Sequence, residues 1–345
     1  MKKILFIGLG GIGQRHLRNV LRVLGKDVEL VALRREASSL AEINDDLTRS
    51  DDVNIVEKYS ISVEYDLQSA MSGPPYVTFI CTPSSMHIEY AIAAVRAGSH
   101  VFIEKPLSDS LEGLDELEEL AVANNKEVYV GFQLRFNPVI NKLHELIDKD
   151  AIGVVTAVRS EVGEYMPGFH KYENYRDSYA SRAELGGGVI LTQIHELDYL
   201  QSIFGIPRDI YALAGSSPAL GLDVEDVVEI LMNVEFRGRS IPIALHMDFC
   251  QRPTRRSFLV YGEDGMILGD LVGRTIELTK KDGESEKFSW NDQDRNHQFI
   301  DQTAHFFDCL DSPTAPRVPL VEAKKSLHMA LAAKASLNSK LPQVV

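Results

Sequence analysis

The stretch that decides the fold is residues 1–13, MKKILFIGLGGIG. Residues 3–7 form a short apolar run with the length of a buried strand. Gly8, Gly10 and Gly13 then follow in the order Gly-x-Gly-x-x-Gly, and a helix-like segment begins at residue 14. The first glycine permits a tight turn, the second a close approach of the backbone to a pyrophosphate, and the third close packing of helix on strand. A strand before the glycines and a helix after them favour dinucleotide binding over an ordinary turn.

The end of the next strand indicates which dinucleotide is preferred. This strand is predicted for residues 28–33, and NAD-preferring folds place an acidic residue near its end, about 20 positions beyond the glycines. Here Arg34 and Arg35 stand in that region. Two guanidinium groups suit the 2′-phosphate of NADP, although two solvated arginines at a strand end would give the same pattern. We therefore predict NADP as the preferred cofactor, with NAD as the alternative.

Strands and helices alternate over the first 130 residues. Further strands are predicted at 77–81, 100–103 and 127–131, and helices at about 86–97 and 111–123; the polar residues 41–75 read as surface helix and loop. This alternation predicts a doubly wound parallel sheet that binds ligands beyond the carboxyl ends of its strands. Three residues stand at or just beyond such ends: Thr82, Lys105 and Gln133. Residues 1–130 are the predicted NAD(P)-binding domain.

The pattern changes from about residue 153. Strand-like runs follow one another and are joined mostly by short turns: 154–162, 210–214, 227–236, 241–249, 257–261, 266–270 and 275–279. Such a succession is typical of an antiparallel sheet, and two helices, at about 297–310 and 321–339, close the chain. We therefore predict that residues 131–345 form a second domain of the α+β type, which binds substrate.

Composition excludes several classes of protein. The formal net charge of -14 over 345 residues argues against nucleic acid or an anionic membrane as a partner. Cys81, Cys250 and Cys309 are too widely separated for a disulfide framework or a metal site. No apolar run reaches the ~18 residues of a membrane span, and the first strand begins too early to leave room for a signal peptide. We expect a cytoplasmic protein without a metal.

A candidate catalytic helix lies in the second domain, at residues 185–200, LGGGVILTQIHELDYL. The three glycines allow close backbone approach, and one amphipathic helix is predicted to start from them. Four polar side chains share one face of that helix: Thr192, His195, Asp198 and Tyr199. Histidine is the side chain best suited to proton transfer near neutral pH. Taken alone, this histidine could equally be a hydrogen-bonded residue of the core.

Further motifs give the chain its resemblance to a known family. These are the glycine turn with His16, the run CTP at 81–83 with His87, IEKPL at 103–107, VGFQLRFNP at 130–138, and the segment 186–198. The sequence resembles the glucose–fructose oxidoreductase, inositol dehydrogenase and rhizopine catabolism (Gfo/Idh/MocA) oxidoreductases over nearly its whole length. The resemblance implies a Rossmann domain followed by an α+β domain with a predominantly antiparallel open sheet. In this family the open sheet often forms an oligomer interface, which implies a homodimer or homotetramer.

The resemblance also implies a reaction and a set of site residues. The reaction is NAD(P)-dependent hydride transfer at a secondary alcohol or ketone of a sugar, a cyclitol or a nucleotide sugar. Lys105 and His195 are the expected catalytic residues. The expected cofactor residues are Gly8, Gly10, Gly11, Ile12, Gly13, Arg34, Arg35, Thr82, Pro83, His87, Glu104, Lys105 and Gln133. The expected substrate residues are Lys105, Arg135, Asn137, Tyr179, Arg182, Thr192 and His195.

One departure from the family pattern concerns the catalytic histidine. Many members carry an aspartate four residues before it, but here that position is Leu191, or Thr192 when the segments are aligned from the glycines. Glu196 and Asp198 are left as possible orienters of the imidazole. Two other functions stay open: an NAD-dependent enzyme that cleaves glycosides without net redox change, and a non-catalytic NAD(P)- or sugar-binding protein. The retained Lys105 and His195 argue against a non-catalytic protein.

Overall fold

A computed structural model describes residues 1–35, 40–170, 172–312 and 314–345. The strands are β1 Lys2–Ile7, β2 Val28–Leu33, β3 Ala41–Ile43, β4 Arg49–Asn54, β5 Ser62–Glu64, β6 Val77–Ile80, β7 His100–Glu104, β8 Val128–Gly131, β9 Val155–Gly163, β10 Pro207–Gly215, β11 Val227–Phe236, β12 Arg239–Asp248, β13 Arg255–Gly262, β14 Gly265–Asp270, β15 Thr275–Lys280, β16 Ser285–Ser289 and β17 Gln343–Val344. The helices are α1 Gly11–Leu24, α2 Ile55–Lys58, α3 Leu67–Met71, α4 His87–Arg96, α5 Leu114–Ala123, α6 Pro138–Asp148, α7 Val189–Thr192, α8 His195–Phe204, α9 His297–Asp311 and α10 Leu320–Ser339. No helix within the described residues is long and apolar enough to cross a membrane.

The chain divides into two compact units. The first comprises Met1–Phe132, His170–Glu173 and Asn296–Ala323. The second comprises Gln133–Phe169, Asn174–Arg295 and Lys324–Val345.

The first unit is built on a six-stranded sheet in the order β5-β2-β1-β6-β7-β8, in which every pair is parallel. Four neighbouring strands, β1, β6, β7 and the edge strand β8, each carry one buried aromatic residue in a single register row: Phe6, Phe79, Phe102 and Tyr129. Neighbouring rings in this row lie 4.9 to 5.5 Å apart between centroids. The predicted parallel, doubly wound sheet is confirmed.

Helix α9 belongs to the first unit, although it follows the second unit's strands in the chain. Phe306 of α9 packs edge-on against Phe102 at 5.4 Å, and Asn296, just before the helix, exchanges hydrogen bonds with Asn19 of α1. The first unit breaks after Phe132, two residues from the predicted boundary at residue 130, and it also includes α9. Contacts at such sequence separations leave no trace in local patterning, which is why the helix was assigned to the second domain.

The carboxyl ends of the parallel strands coincide because their registers match. Leu33 pairs with Ile7, Ile7 with Ile80, and Ile80 with Ile103. The chain therefore leaves four neighbouring strands at one edge of the sheet, where ligands of such folds bind. The residues next to these ends are Arg34, Gly8, Cys81 and Glu104.

The segment 41–75 is more regular than the prediction of surface helix and loop. The strands β3 and β4 form an antiparallel hairpin, and β5 joins the edge of the main sheet beside β2. Each of β3 and β5 has only three residues, and β4 has the polar sequence RSDDVN. Strands this short or this polar do not show the apolar alternation on which sequence assignment depends.

The second unit contains a nine-stranded sheet in the order β16-β15-β14-β13-β9-β12-β11-β10-β17. The pair β9 and β12 is parallel and all the others are antiparallel, so the predicted predominantly antiparallel sheet is confirmed. Sequence analysis missed β16, β17 and helix α6. Helix α6 was predictable from sequence, because Asn137 caps the helix and Pro138 occupies its first turn.

Candidate active site

The glycine turn after β1 has the shape of a phosphate cradle. Gly8 has a φ of 94°, and a Cβ atom there would lie 2.5 Å from the carbonyl oxygen of Cys81. A Cβ at Gly13 would lie 2.1 Å from the carbonyl oxygen of Gly8, so helix and strand pack as the motif predicts. A Cβ at Gly10 would meet no described atom within 4 Å. An added Cβ atom would therefore collide with the protein at Gly8 and Gly13, whereas the turn is open at Gly10.

The amino end of α1 supplies the attraction for an anion. Helix α1 begins at Gly11, its cap residue Gly10 has no side chain, and the first intrahelical bond runs from Gln14 N to Gly10 O at 2.9 Å. The N–H groups before that bond and the positive end of the helix dipole suit a phosphate. These features fit the diphosphate of a dinucleotide, which Gly11 and Ile12 would meet through their backbone.

Gln14 braces the cradle, a role that sequence analysis did not assign. Its side-chain amide donates to the carbonyl oxygens of Leu9 at 3.2 Å and Ala41 at 3.1 Å. Its oxygen accepts from the backbone N–H of Ile43 at 2.7 Å. The side chain thus joins the glycine turn to the β3–β4 hairpin.

Arg34 and Arg35 lie at the end of β2, beside the end of β1. Arg34 is half-buried, and its backbone N–H donates to the carbonyl oxygen of Glu64 at 2.9 Å. Arg35 is exposed and its guanidinium lies 3.7 Å from the sulfur of Met86, in the short 3₁₀ turn after β6. The two arginines therefore occupy the region where the Rossmann fold binds the adenosine ribose.

His87 braces two loops at this edge of the sheet. It is buried, with Nε2 2.8 Å from the carbonyl oxygen of Thr82 and Nδ1 2.9 Å from that of Pro106. Burial lowers the pKa of His87, which favours the neutral ring, and a neutral ring donates from one nitrogen only. His87 therefore lies between the loops after β6 and β7 and donates to one of the two carbonyl oxygens, and its contact with the cofactor stays a prediction. The hydroxyl oxygen of Thr82 is buried and has no hydrogen-bond partner among the described residues.

Glu104 and His16 connect two of the sequence motifs. His16 is fully buried on α1, and its Nε2 donates to the Glu104 carboxylate at 2.6 Å. The same carboxylate accepts from the backbone N–H of Lys105 at 3.1 Å. The Glu104 carboxylate thus holds the turn that carries Lys105, and its contact with the cofactor stays a prediction. Lys105 itself is half-buried and precedes Pro106 in a cis peptide bond.

In the second unit, the Gly186–Gly188 turn is crowded by the chain itself. A Cβ at Gly187 would lie 2.6 to 2.8 Å from the carbonyl oxygens of Tyr179, Ala180 and Arg182. Gly188 has a φ of 103°, and a Cβ there would lie 2.2 Å from a carboxylate oxygen of Glu225. Other atoms of the protein therefore occupy the space beside Gly187 and Gly188 that the absence of side chains leaves.

The predicted single helix is two helices with a break between them. Helix α7 ends at Thr192 and α8 begins at His195, so Thr192 is separated from His195, Asp198 and Tyr199, which all lie on α8. His195 is buried in the first turn of α8, and the amide nitrogen of Gln133 lies 3.1 Å from its Nε2. This hydrogen bond joins the imidazole of His195 to the side chain of Gln133. The amide oxygen of Gln133 is buried without a partner in the described part of the chain.

Glu196 and Asp198, the two possible orienters of His195, form hydrogen bonds with other residues. Asp198 is fully buried and receives two hydrogen bonds from Arg135, at 2.6 and 2.9 Å, and one from Ser326 at 2.9 Å. Glu196 is fully buried and receives two from Arg256, at 2.7 and 3.0 Å. These contacts show that the guanidinium of Arg135, a predicted substrate residue, holds a buried carboxylate. The Tyr199 hydroxyl lies 2.7 Å from Ser160 of the sheet.

The remaining predicted substrate residues differ in accessibility. Asn137 is buried and its oxygen accepts from Val139 N at 2.9 Å, which gives it a capping role. Arg182 is exposed and pairs with Glu184. Tyr179 is half-buried and Thr192 is buried.

Comparison with known proteins agrees with this geometry. The model of an oxidoreductase family with an NAD-binding Rossmann fold matches residues 2–132, and the model of the Gfo/Idh/MocA C-terminal domain matches residues 140–268. The chain belongs to the Gfo/Idh/MocA oxidoreductases. The predicted family is thereby confirmed.

Individual relatives align with nearly the full length of this chain. The myo-inositol 2-dehydrogenase of Thermotoga maritima is 25% identical, over 98% of this chain and 97% of its own. The scyllo-inositol 2-dehydrogenase (NAD(+)) of Bacillus subtilis is 25% identical, over 97% and 94%. The structure of levoglucosan dehydrogenase in complex with NADH superposes with a TM-score of 0.82 at 17% identity, covering 100% of this chain and 99% of that chain. At this identity the structural likeness shows the shared fold.

Proposed function

We propose that the protein is an NADP(H)-preferring oxidoreductase that transfers hydride to or from a secondary alcohol carbon of a sugar, a cyclitol or a related derivative. The observation that carries the proposal is the shared edge of the parallel sheet. The glycine cradle, Arg34 and the Glu104–Lys105 turn all follow strands whose ends are in register. The inositol dehydrogenases among the relatives support the substrate class.

The chemistry divides between the cofactor and two side chains. The bound nicotinamide supplies the hydride acceptor or donor. The Lys105 ammonium donates to the substrate oxygen and stabilises the charge that develops on it as alcohol becomes ketone. His195 takes the hydroxyl proton in oxidation and returns it in reduction.

Gln133 takes over part of the task of the missing aspartate. A carboxylate beside the imidazole would orient the ring, and in this chain the amide nitrogen of Gln133 lies 3.1 Å from Nε2. The hydrogen bond fixes the orientation of the imidazole ring. We infer that Gln133 positions His195 in addition to, or in place of, contacting the cofactor.

The preference for NADP is tested by Arg34→Asp. A carboxylate at this site would repel a 2′-phosphate and could bind a free ribose diol, so the variant should bind NADP(H) far more weakly while NAD(H) binding changes little. Calorimetric titration of both cofactors measures this. Arg208→Asp is the matched control, because Arg208 is an exposed arginine of the second unit. Equal losses for both cofactors, or tighter NAD binding by the unmodified protein, would refute the preference.

The reaction class is tested with a panel of cyclitols, free sugars and nucleotide sugars. Net reduction of NADP or NAD, followed by absorbance, is expected for at least one of them. Cleavage of a glycoside without net change in cofactor absorbance would instead favour the glycoside-cleaving function.

We also propose that the open face of the nine-stranded sheet forms a homo-oligomer. One register row crosses six strands from Tyr211 to Leu268, and it includes Leu231 and Leu268, which are 56% and 46% exposed. Arg159 also lies in this row, and exposed apolar side chains on an open sheet face are typical of association surfaces. Light scattering after gel filtration should give a dimer or tetramer, and Leu231→Glu should shift it toward the monomer.

A further inference from the structure

Gly11, at the start of α1, faces a tyrosine from a distant part of the chain. A Cβ atom at Gly11 would lie 2.7 Å from the Tyr172 hydroxyl oxygen and 3.5 Å from the ring carbon that bears it. A Cβ at the neighbouring Gly10 would meet no described atom within 4 Å. The hydroxyl therefore lies beside the open cradle, on the side where Gly11 has no side chain.

The surroundings of Tyr172 hold its ring in place. The ring stacks on that of His170 with centroids 5.2 Å apart, and His170 Nδ1 lies 2.6 Å from the Glu173 carboxylate. Burial, with a further contribution from Glu173, raises the pKa of Tyr172 to about 12. The hydroxyl thus keeps its proton at neutral pH and is a hydrogen-bond donor.

The segment His170–Glu173 clusters with the first unit, although the chain on both sides of it belongs to the second. It lies outside every motif that identified the family from sequence. Its position at the amino end of α1 is explained by none of the roles assigned above.

We propose that Tyr172 is a cofactor-positioning residue whose hydroxyl donates to the diphosphate of the bound dinucleotide. This inference rests on the proposed function. Backbone N–H groups at the helix end hold the phosphates from below, and Tyr172 supplies a side-chain donor at the same place. A bond to a charged acceptor is stronger than a neutral one and is directional, so it fixes the diphosphate as well as stabilising it.

The test is Tyr172→Phe, which removes the hydroxyl and keeps the ring. NADPH binding, measured by calorimetry, should weaken about tenfold or more. Binding of adenosine 2′-monophosphate, which has no diphosphate, should be unchanged, as should the melting temperature without ligand. Tyr65→Phe is the control, because Tyr65 is 55% exposed.

A second variant tests the geometry. Gly11→Ala places a methyl group against the hydroxyl and should also weaken NADPH binding. In the Tyr172→Phe background, Gly11→Ala should weaken NADPH binding much less. Without the hydroxyl, the nearest ring carbon of residue 172 would lie at an ordinary contact distance of 3.5 Å from the added methyl group. The double-mutant cycle should therefore be strongly non-additive.

The possible outcomes separate this inference from the proposed function. An unchanged or tighter NADPH affinity in Tyr172→Phe, or an equal loss for adenosine 2′-monophosphate, would overturn the role of Tyr172 and leave the oxidoreductase function standing. Failure of the unmodified protein to bind either NADPH or NADH would instead overturn the proposed function itself.

Discussion

The two units build their functional residues in different ways. In the first, the cradle itself is made of backbone, namely glycines, a helix end and the in-register ends of parallel strands, and side chains such as Gln14 and Glu104 brace the turns around it. In the second, the surroundings of His195 are made of side chains from distant segments, with Gln133 62 residues away and Arg256 60 residues from Glu196. A site made of backbone should lose ligand binding when a methyl group is added, whereas a site made of buried side-chain pairs should lose stability when one partner is removed.

The largest expected effect is on catalysis in the first unit. Lys105→Met removes the ammonium and keeps a side chain of similar length, so turnover should fall by ~10²–10⁴-fold, the usual contribution of a positioned proton donor or acceptor. Cofactor affinity and melting temperature should stay near those of the unmodified protein, because the Glu104 carboxylate still holds the turn through His16. Single-turnover kinetics with NADP and titration of NADPH provide the two measurements.

This variant tests whether Lys105 takes part in the reaction or only stabilises the fold. Unfolding of Lys105→Met, or turnover at an ordinary rate, would make the lysine part of the scaffold. The control is Lys126→Met, since Lys126 lies before β8 of the same unit and outside the motifs.

The second effect concerns the stability of the second unit. Arg256→Leu leaves the fully buried Glu196 carboxylate without its two hydrogen bonds from the guanidinium. Breaking a buried pair by removing one partner costs about 3–5 kcal/mol of unfolding free energy. Urea denaturation should show this loss.

An exposed ion pair serves as the comparison for the buried pair of Arg256 and Glu196. Arg49 and Asp51 form an ion pair in which the side chains are 49% and 74% exposed, and Arg49→Leu should cost ~1 kcal/mol or less. Similar losses for the two variants would mean that the Glu196 pair contributes no more than a surface contact.

The same difference explains how much was predictable from sequence. Gly8, Gly13 and the Lys105 turn were placed correctly because a glycine motif and a strand end are local features. The bonds from Arg135 to Asp198 and from Gln133 to His195 span 63 and 62 residues, and no local pattern encodes such pairings. The helix break between Thr192 and His195 was missed because the helical periodicity of the apolar residues continues across it.

The third prediction concerns two glycines of the cradle that look equivalent in sequence. Gly13→Ala should destabilise the protein by about 1–3 kcal/mol, because its methyl group would lie 2.1 Å from the Gly8 carbonyl oxygen. Gly10→Ala should melt normally and bind NADPH weakly, because its methyl group enters the open part of the cradle. Thermal melts and calorimetric titration of both variants separate the effects. A stable Gly13→Ala protein with normal NADPH affinity would contradict the packing argument.

The smallest expected effect contrasts one partly exposed histidine from each unit. Hydrogen bonds that His246 donates to the carboxylates of Asp248 and Glu229 raise its pKa to about 9, so its contribution to stability is full below pH 6.5 and is lost as the pH rises through 9. Burial, with Lys126 nearby, lowers the pKa of His100 to about 4, so its contribution is present above pH 6.5 and is lost as the pH falls through 4. Solvent screening should keep each contribution to ~1 kcal/mol or less.

The variants His246→Gln and His100→Gln isolate the two contributions. Relative to the unmodified protein, His246→Gln should be less stable at pH 6 and should approach it at pH 10, because the unmodified protein has by then lost its charged histidine. His100→Gln should show a shallower loss of stability between pH 6.5 and 4, because the residue that resists protonation is gone. The urea concentration at the midpoint of unfolding, measured for each variant from pH 4 to pH 10, tests both expectations. A pH profile that is the same in both variants and the unmodified protein would mean that neither histidine is coupled to folding, and that the ion pairs around His246 are as weak as those of an open surface.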